Sequence, residues 1–205
     1  MNLFRKNYTL LSDEQLMQRL RQDNSAAFDE LYKRYSQRLL AYFYRMLGGD
    51  AEKARDFLQD LFFKIIDKHA TFRLEAQFST WIFTLAHNMC KNEYRRLTVR
   101  RIMTNGLDAE TLPNPSSDSV NIEQKIDHKQ FTALLNRELE KVDKNQRSSF
   151  LLRFQAQLSI KEISEILGCS EGTTKSRLFY VTKKLANVLR DFNPYQNEET
   201  NHVIE

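Results

Sequence analysis

The sequence predicts an all-α protein made of two small helical domains joined by a flexible linker. Three observations carry this. Apolar residues recur at three- and four-residue spacing through most of the chain, the period of a helix with one buried side. Five glycines and three prolines in 205 residues leave too little turn chemistry for an all-β fold. The stretch Leu-Pro-Asn-Pro-Ser-Ser-Asp-Ser, Leu112 to Ser119, is almost free of apolar side chains and reads as a linker between two periodic parts.

The elements follow in order. Ser12-Asp13-Glu14-Gln15 has the spacing of a capping box, with Ser12 as N-cap, and Leu16 and Leu20 begin an apolar stripe. A second helix is expected from about Ser25 to Leu47, with Phe28, Leu31, Tyr32, Tyr35, Leu39, Tyr42, Phe43 and Met46 along one side. Gly48-Gly49 ends it, and Asp50 caps a third helix over Ala51 to about His69. That helix carries Ala54, Phe57, Leu58, Leu61, Phe62, Ile65 and Ile66 on its buried side. A short segment, Thr71 to Phe78, precedes a fourth helix, capped by Ser79 or Thr80 and running to about Thr98. Residues 1–100 are thus read as the first domain and 101–121 as the linker. Residues 122–191 form the second domain and 192–205 a mobile tail.

Composition narrows the function. Hydrophobic residues at 41% and charged residues at 28% suit a soluble globular protein, and a net charge of +4 is compatible with nucleic acid without requiring it. Cys90 and Cys169 have no CxxC spacing, which fits a reducing compartment. No apolar run approaches the roughly 20 residues that span a bilayer, and no secretory leader is evident. A cytoplasmic location is expected. His69, His87, His128 and His202 are scattered, so no metal site is expected. No phosphate-binding glycine loop or nucleophile motif appears, so neither cofactor, small-molecule substrate nor enzymatic activity is expected.

The strongest motif lies near the C-terminus. Ser159-Ile160-Lys161-Glu162 is a second capping box, followed by the stripe Ile160, Ile163, Ile166 and Leu167. Gly168 sits where a left-handed residue ends a helix, and Ser170 caps the next. That helix, Glu171 to about Leu189, buries Thr174, Leu178, Val181 and Leu185. Thr173, Lys175, Ser176, Arg177, Phe179, Tyr180, Lys183 and Lys184 are left at its outer face or margins. A short helix, a glycine turn and a helix with a basic, hydroxyl-rich start is what major-groove reading requires. A generic helical hairpin with a solvated charged face has the same outline.

These residues resemble a family. Ile160-Lys161-Glu162-Ile163 through Gly168-Cys169-Ser170-Glu171-Gly172-Thr173-Thr174-Lys175-Ser176-Arg177-Leu178 is similar to region 4 of the extracytoplasmic-function group of sigma-70 factors. Ala26-Ala27-Phe28-Asp29-Glu30-Leu31-Tyr32, Asp56-Phe57-Leu58-Gln59-Asp60-Leu61-Phe62, and Phe78-Ser79-Thr80-Trp81-Ile82 with Ala86-His87-Asn88 are similar to its region 2. The resemblance covers about residues 10 to 190. It implies a non-enzymatic factor that binds core RNA polymerase, with region 2 reading the -10 promoter element and region 4 the -35 element. It also implies an anti-sigma partner.

The resemblance assigns roles by position. Asp56, Gln59, Asp60, Phe63 and Lys64 on the third helix would meet the clamp of the largest polymerase subunit; a solvated helix face is the alternative. The flap of the second-largest subunit would meet part of the surface carrying Phe131, Leu134, Leu135, Phe150 and Leu151, residues that core packing also explains. Phe72, Arg73, Glu75, Gln77 and Asn88 would serve capture of an unstacked -10 base, with core packing the other use of Phe72. Lys91, Arg95, Arg96, Arg100 and Arg101 set five positive charges against Glu93, and several of them can follow phosphates; a solvated basic helix end is the alternative. Thr173, Lys175, Ser176, Arg177, Phe179, Tyr180 and Lys184 would bind the -35 element, Tyr180 standing where some members carry an arginine. A tyrosine cannot make a bidentate guanine contact.

Linker reach is compatible with this. About 25 extended residues span at most roughly 83 to 90 Å. Elements about 20 base pairs apart are separated by roughly 70 Å of duplex. A free-standing helix-turn-helix regulator is the rival reading, and it predicts tight duplex binding by the isolated protein.

Overall fold

The computed structural model describes residues 8–103 and 124–192, excepting the side chains of residues 101, 124–129 and 191. All but the first three residues of the expected linker and all but the first residue of the expected tail lie outside the described residues. Among the described residues eight α-helices follow one another: α1 (Asp13–Leu20), α2 (Ser25–Met46), α3 (Ala51–Lys68), α4 (Phe78–Met103), α5 (Gln124–Glu140), α6 (Lys144–Phe150), α7 (Ile160–Leu167) and α8 (Glu171–Val188). No strand occurs among the described residues.

Local chemistry sets most helix starts. Ser12 and Gln15 close the capping box of α1, and Asn24 and Asp50 accept from backbone amides at the starts of α2 and α3. α4 departs from expectation. It starts at Phe78, so neither Ser79 nor Thr80 is its N-cap. The amide of Phe78 donates instead to the Glu14 carboxylate at 3.1 Å. A residue 64 positions away in α1 therefore satisfies one of the unpaired donors of α4 and places a carboxylate at the positive end of its dipole. α4 also runs on to Met103, past the predicted end at Thr98 and into the predicted linker.

The first four helices enclose an aromatic core. Tyr42, Phe43, Phe72, Phe78 and Phe83 are among the largest fully buried side chains. They meet edge to face: Tyr42 with Phe83 at 5.9 Å, Phe72 with Phe78 at 5.8 Å, and Tyr35 with Phe78 at 5.1 Å between ring centroids. Each such pair adds about 0.5–1.5 kcal/mol beyond area burial. Ile66, expected on the buried side of α3, is exposed.

The second domain is smaller and aliphatic, built on Leu139, Leu151, Leu152, Ile163, Ile166, Val181 and Leu185. α6 continues into a π-helical stretch, Leu151–Gln155, that joins it to the segment before α7.

The two domains pack together. α7 lies against α4, and α6 with its π-helical continuation lies against α2. The buried Tyr42 hydroxyl meets Ser148 Oγ at 2.9 Å, and both hydroxyls meet His87 Nδ1, at 3.3 and 3.2 Å. Arg45 donates to Asn136 Oδ1 at 3.1 Å and to Gln155 Oε1 at 3.0 Å. Arg38 donates to the Ala156 carbonyl. Ser79 Oγ donates to Glu162 Oε1 at 2.9 Å.

Candidate nucleic-acid interface

α7, the turn at Gly168 and α8 form a helix-turn-helix. Ser159 and Glu162 close the α7 capping box, and Gly168 ends the helix with φ 60° and ψ 42°. That left-handed conformation is penalised for a residue with a Cβ. The Ser170 side chain accepts from the Thr173 amide and starts α8.

Thr174, Leu178, Val181 and Leu185 anchor one side of α8 in the core. The other side faces outward. Thr173, Lys175, Ser176, Phe179, Tyr180 and Lys184 are exposed, and Arg177 is half-buried. Phe179 and Tyr180 are 61% and 60% exposed, far beyond what packing between helices would leave, and their rings meet edge to face at 5.5 Å. Some of these groups are already engaged. Thr173 Oγ1 lies 2.9 Å from Ser170 Oγ, Arg177 Nη1 lies 3.4 Å from Cys169 Sγ, and Lys184 Nζ donates to the Lys141 carbonyl at 3.1 Å.

On α4, Asn88, Lys91, Arg95 and Arg96 are all exposed. Glu93 between them is buried and pairs with Lys53 at 2.6 Å and Arg96 at 2.9 Å. Burial works to raise the Glu93 carboxyl, but its hydrogen bonds with Arg96 and Lys53 outweigh this and hold it below the usual carboxylate range. The one acid in this basic stretch is thus tied down, leaving Lys91 and Arg95 as cations on the outer face.

In the segment before α4, Arg73, Glu75 and Gln77 are exposed but Phe72 is not. Phe72 is 1% exposed, packed against Phe78 and Trp81. Its ring supports the loop from beneath and presents no face for a base to stack on. Trp81 is half-buried in the same cluster.

On α3, Asp56, Gln59, Asp60 and Phe63 are exposed and Lys64 is half-buried. Sequence reasoning missed what adjoins this row. Phe28, Tyr32, Leu58, Phe62, Phe63 and Ile66 line an open groove of about 600 Å³ between α2 and α3, with Gln59 on its edge. Periodicity alone assigns Tyr32 and Ile66 to the core, yet both are exposed. Their exposure gives the polar row an apolar flank.

His87 occupies the junction between the domains. Burial, with Lys91 and Arg177 nearby, pushes its pKa down to about 4, so it is neutral at pH 7. Burial and the neighbouring Glu93 push the Cys90 thiol up to about 12, which removes it from thiolate chemistry. Among the described residues no cluster of three His, Cys, Asp or Glu side chains has metal-binding geometry.

Comparison with known proteins decides the lineage. Residues 31–101 match Sigma-70 region 2, and residues 132–185 match Sigma-70, region 4. RNA polymerase sigma factor YlaC of Bacillus subtilis is 34% identical over 152 residues, covering 74% of this chain and 86% of that protein. The chain belongs to the sigma-70 family.

Within it, the extracytoplasmic-function group is the place of this sigma factor. ECF RNA polymerase sigma factor BldN of Streptomyces coelicolor is 28% identical over 180 residues, covering 86% of this chain and 66% of that protein. The fold is also that of the sigma factor RpoE solved in complex with the anti-sigma factor NepR from Bartonella quintana. The TM-score is 0.62 at 20% identity, covering 78% of this chain and 97% of that one. Region 2 of the sigma factor therefore falls on α2 to α4 and region 4 on α5 to α8.

Proposed function

We propose that this protein acts as an extracytoplasmic-function sigma factor whose two DNA-reading surfaces are the outer face of α8 and the exposed stretch of α4 with the loop before it. A sigma factor binds core RNA polymerase and directs it to promoters. The outward face of α8, opposite the buried Thr174–Leu185 stripe, is the observation that carries the reading. It leaves a helix of 18 residues free to enter a major groove by its first turns.

Lys175, Ser176, Arg177, Phe179 and Tyr180 would contact the -35 element, with Thr173 and Lys184 at the margins. Lys175 and Arg177 suit phosphates, and Phe179 suits a thymine methyl. For the -10 element, Arg73, Glu75, Gln77 and Asn88 offer polar groups to a base edge. Lys91, Arg95 and Arg96 supply sequence-independent attraction to phosphates. Phe72 would act by holding the loop's shape. On α3, Asp56, Gln59, Asp60, Phe63 and Lys64, with the apolar groove beside them, would dock the clamp of the largest subunit. An aromatic anchor flanked by polar groups is a common form of interface centre. The region 4 surface would meet the flap of the second-largest subunit. An anti-sigma factor is a further proposed partner, supported by the RpoE–NepR complex.

The matching of region 2 to α2–α4 argues against a free-standing regulator, which needs no such domain. Run-off transcription over a genomic promoter library, with core polymerase and this protein, tests the function. Transcripts that require the protein are expected. Their absence, with the polymerase competent alongside another sigma factor, would remove the proposal.

A further inference from the structure

The loop that would receive the -10 strand is braced by a helix to which no promoter contact is assigned. Phe72 and Phe78 stand at the loop's two ends, and their buried rings meet edge to face at 5.8 Å. Residues 73–77 run out between them, and the Ala76 amide closes a turn on the Arg73 carbonyl at 3.0 Å. Arg73, Glu75 and Gln77 are exposed on this turn. Where such side chains point depends on how the backbone is set at the two ends, because a reading loop takes its shape from the scaffold that holds it.

Both ends are set by α1. Arg21, the residue that ends α1, donates from Nε to the His69 carbonyl at 3.2 Å and from Nη2 to the Ala70 carbonyl at 3.1 Å. The same Nη2 donates to the Phe72 carbonyl. A guanidinium carries its donors in a rigid planar fork, so one side chain can gather three carbonyls. At the other end of the loop, the Glu14 carboxylate accepts from the Phe78 amide at 3.1 Å. Arg21 and Glu14 are seven residues apart, a spacing of two helical turns that returns to one face and covers about 10 Å. Burial works to raise the Glu14 carboxyl, but hydrogen bonds from the Phe78 amide, its own amide and Ser12 hold it below the usual carboxylate range. Leu16, Met17 and Leu20, between the two, are buried in the core. The brace is therefore part of the packed body of region 2.

We propose that Arg21 and Glu14 are positioning residues that set -10 base selectivity without touching DNA, by fixing the backbone at the two ends of the loop between Phe72 and Phe78. The inference rests on the -10 reading of that loop. Capture of an unstacked base needs the groups that read it to be held close to one geometry. Loosened ends would let Arg73, Glu75 and Gln77 occupy many positions, and the advantage of the preferred base over its rivals would shrink.

Two measurements test this. Hydrogen exchange on the free full-length protein reads the brace alone. Arg21→Lys should speed exchange at the Phe72 amide and Glu14→Ala at the Phe78 amide, each about tenfold, while amides in the middle of α2 keep their rates. Run-off transcription by holoenzyme, over templates carrying each single-base change in the -10 element, reads the consequence. The parent should favour the right base at the captured position by about tenfold or more. Both variants should compress that ratio to roughly twofold, with core binding intact. Glu14→Gln, which keeps an oxygen to accept from the Phe78 amide, should retain most of the selectivity. Arg21→Lys keeps the charge but not the fork, so it would preserve a mere phosphate contact and should not preserve a brace. Unchanged exchange at both amides would overturn the inference. So would parental selectivity in Arg21→Lys, a uniform loss across all templates, or a loss that follows loss of core binding. No transcript from the parent with core polymerase sinks the sigma reading and the selectivity role with it. Parental transcripts beside any of those results sink this inference alone.

Discussion

Region 2 and region 4 hold their folds in different ways. Region 2 depends on contacts between residues far apart in sequence: a ladder of buried aromatic rings, and an α4 start capped by Glu14 from α1. Region 4 is written locally, by the Ser159–Glu162 capping box, the left-handed Gly168 and the Ser170 cap, around a thin aliphatic core. A domain punctuated by its own caps needs little help to present a recognition helix. Region 2 has local caps too, at Ser12, Asn24 and Asp50, but the start of α4 and the loop before it depend on partners far away in sequence. The difference teaches where each is vulnerable.

The largest effect should come from the region 2 core. Phe43 is fully buried and meets Tyr42 and Phe57 edge to face. Phe43→Ala should cost about 4 kcal/mol, seen as a shift in the denaturant midpoint. A loss no larger than that of a region 4 cap would erase the contrast between the domains.

Next is the junction itself. His87 has a pKa of about 4 when docked, against an ordinary 6.5. A base whose pKa is depressed in the folded state contributes stability that is complete above the ordinary value. That stability is lost as pH falls toward the depressed one. Between pH 7.5 and 5 the protein should lose about 2 kcal/mol from this group, and His87→Gln should flatten that slope. The groups facing His87 are Tyr42, Ser148, Lys91 and Arg177, and the two cations reinforce the direction. An unchanged slope in the variant would assign the acid sensitivity elsewhere.

Local punctuation predicts smaller losses. A Cβ on Gly168 would meet nothing within 4 Å, so Gly168→Ala tests backbone strain without a clash. It should cost about 1 kcal/mol, with Ser159→Ala costing a similar amount. Equilibrium unfolding measures both, and losses as large as that of Phe43→Ala would show that region 4 is not locally specified. The smallest change expected is in Lys175→Ala. Holoenzyme binding should lose about one unit of salt slope uniformly across -35 variants. Altered sequence preference instead would make Lys175 a base reader.

The same contrast explains what could be read from the sequence. Caps at Ser12, Asp50, Ser159 and Ser170 and the stop at Gly168 depend on neighbours a few residues away, and all stand as expected. The start of α4 could not be placed, because its partner lies in another helix. Periodicity gave Ile66 and Tyr32 to the core, since spacing records a face but not whether a neighbour covers it. Phe72 fits either a base pocket or a core, and only packing against Phe78 and Trp81 distinguishes them. The junction was invisible for the same reason. Tyr42, His87 and Ser148 meet across sequence separations of 45, 61 and 106 residues, and no local pattern joins the three.

The central claim is that the outer face of α8 reads DNA only as part of a polymerase holoenzyme. Footprinting on a promoter found by run-off transcription tests it most directly, comparing the parent protein with Ser176→Ala and Phe179→Ala. With core polymerase present, protection around -35 should appear for the parent and fall about tenfold or more in the variants. The protein alone should protect little. Equal protection by parent and variants, or full protection without polymerase, would contradict the account.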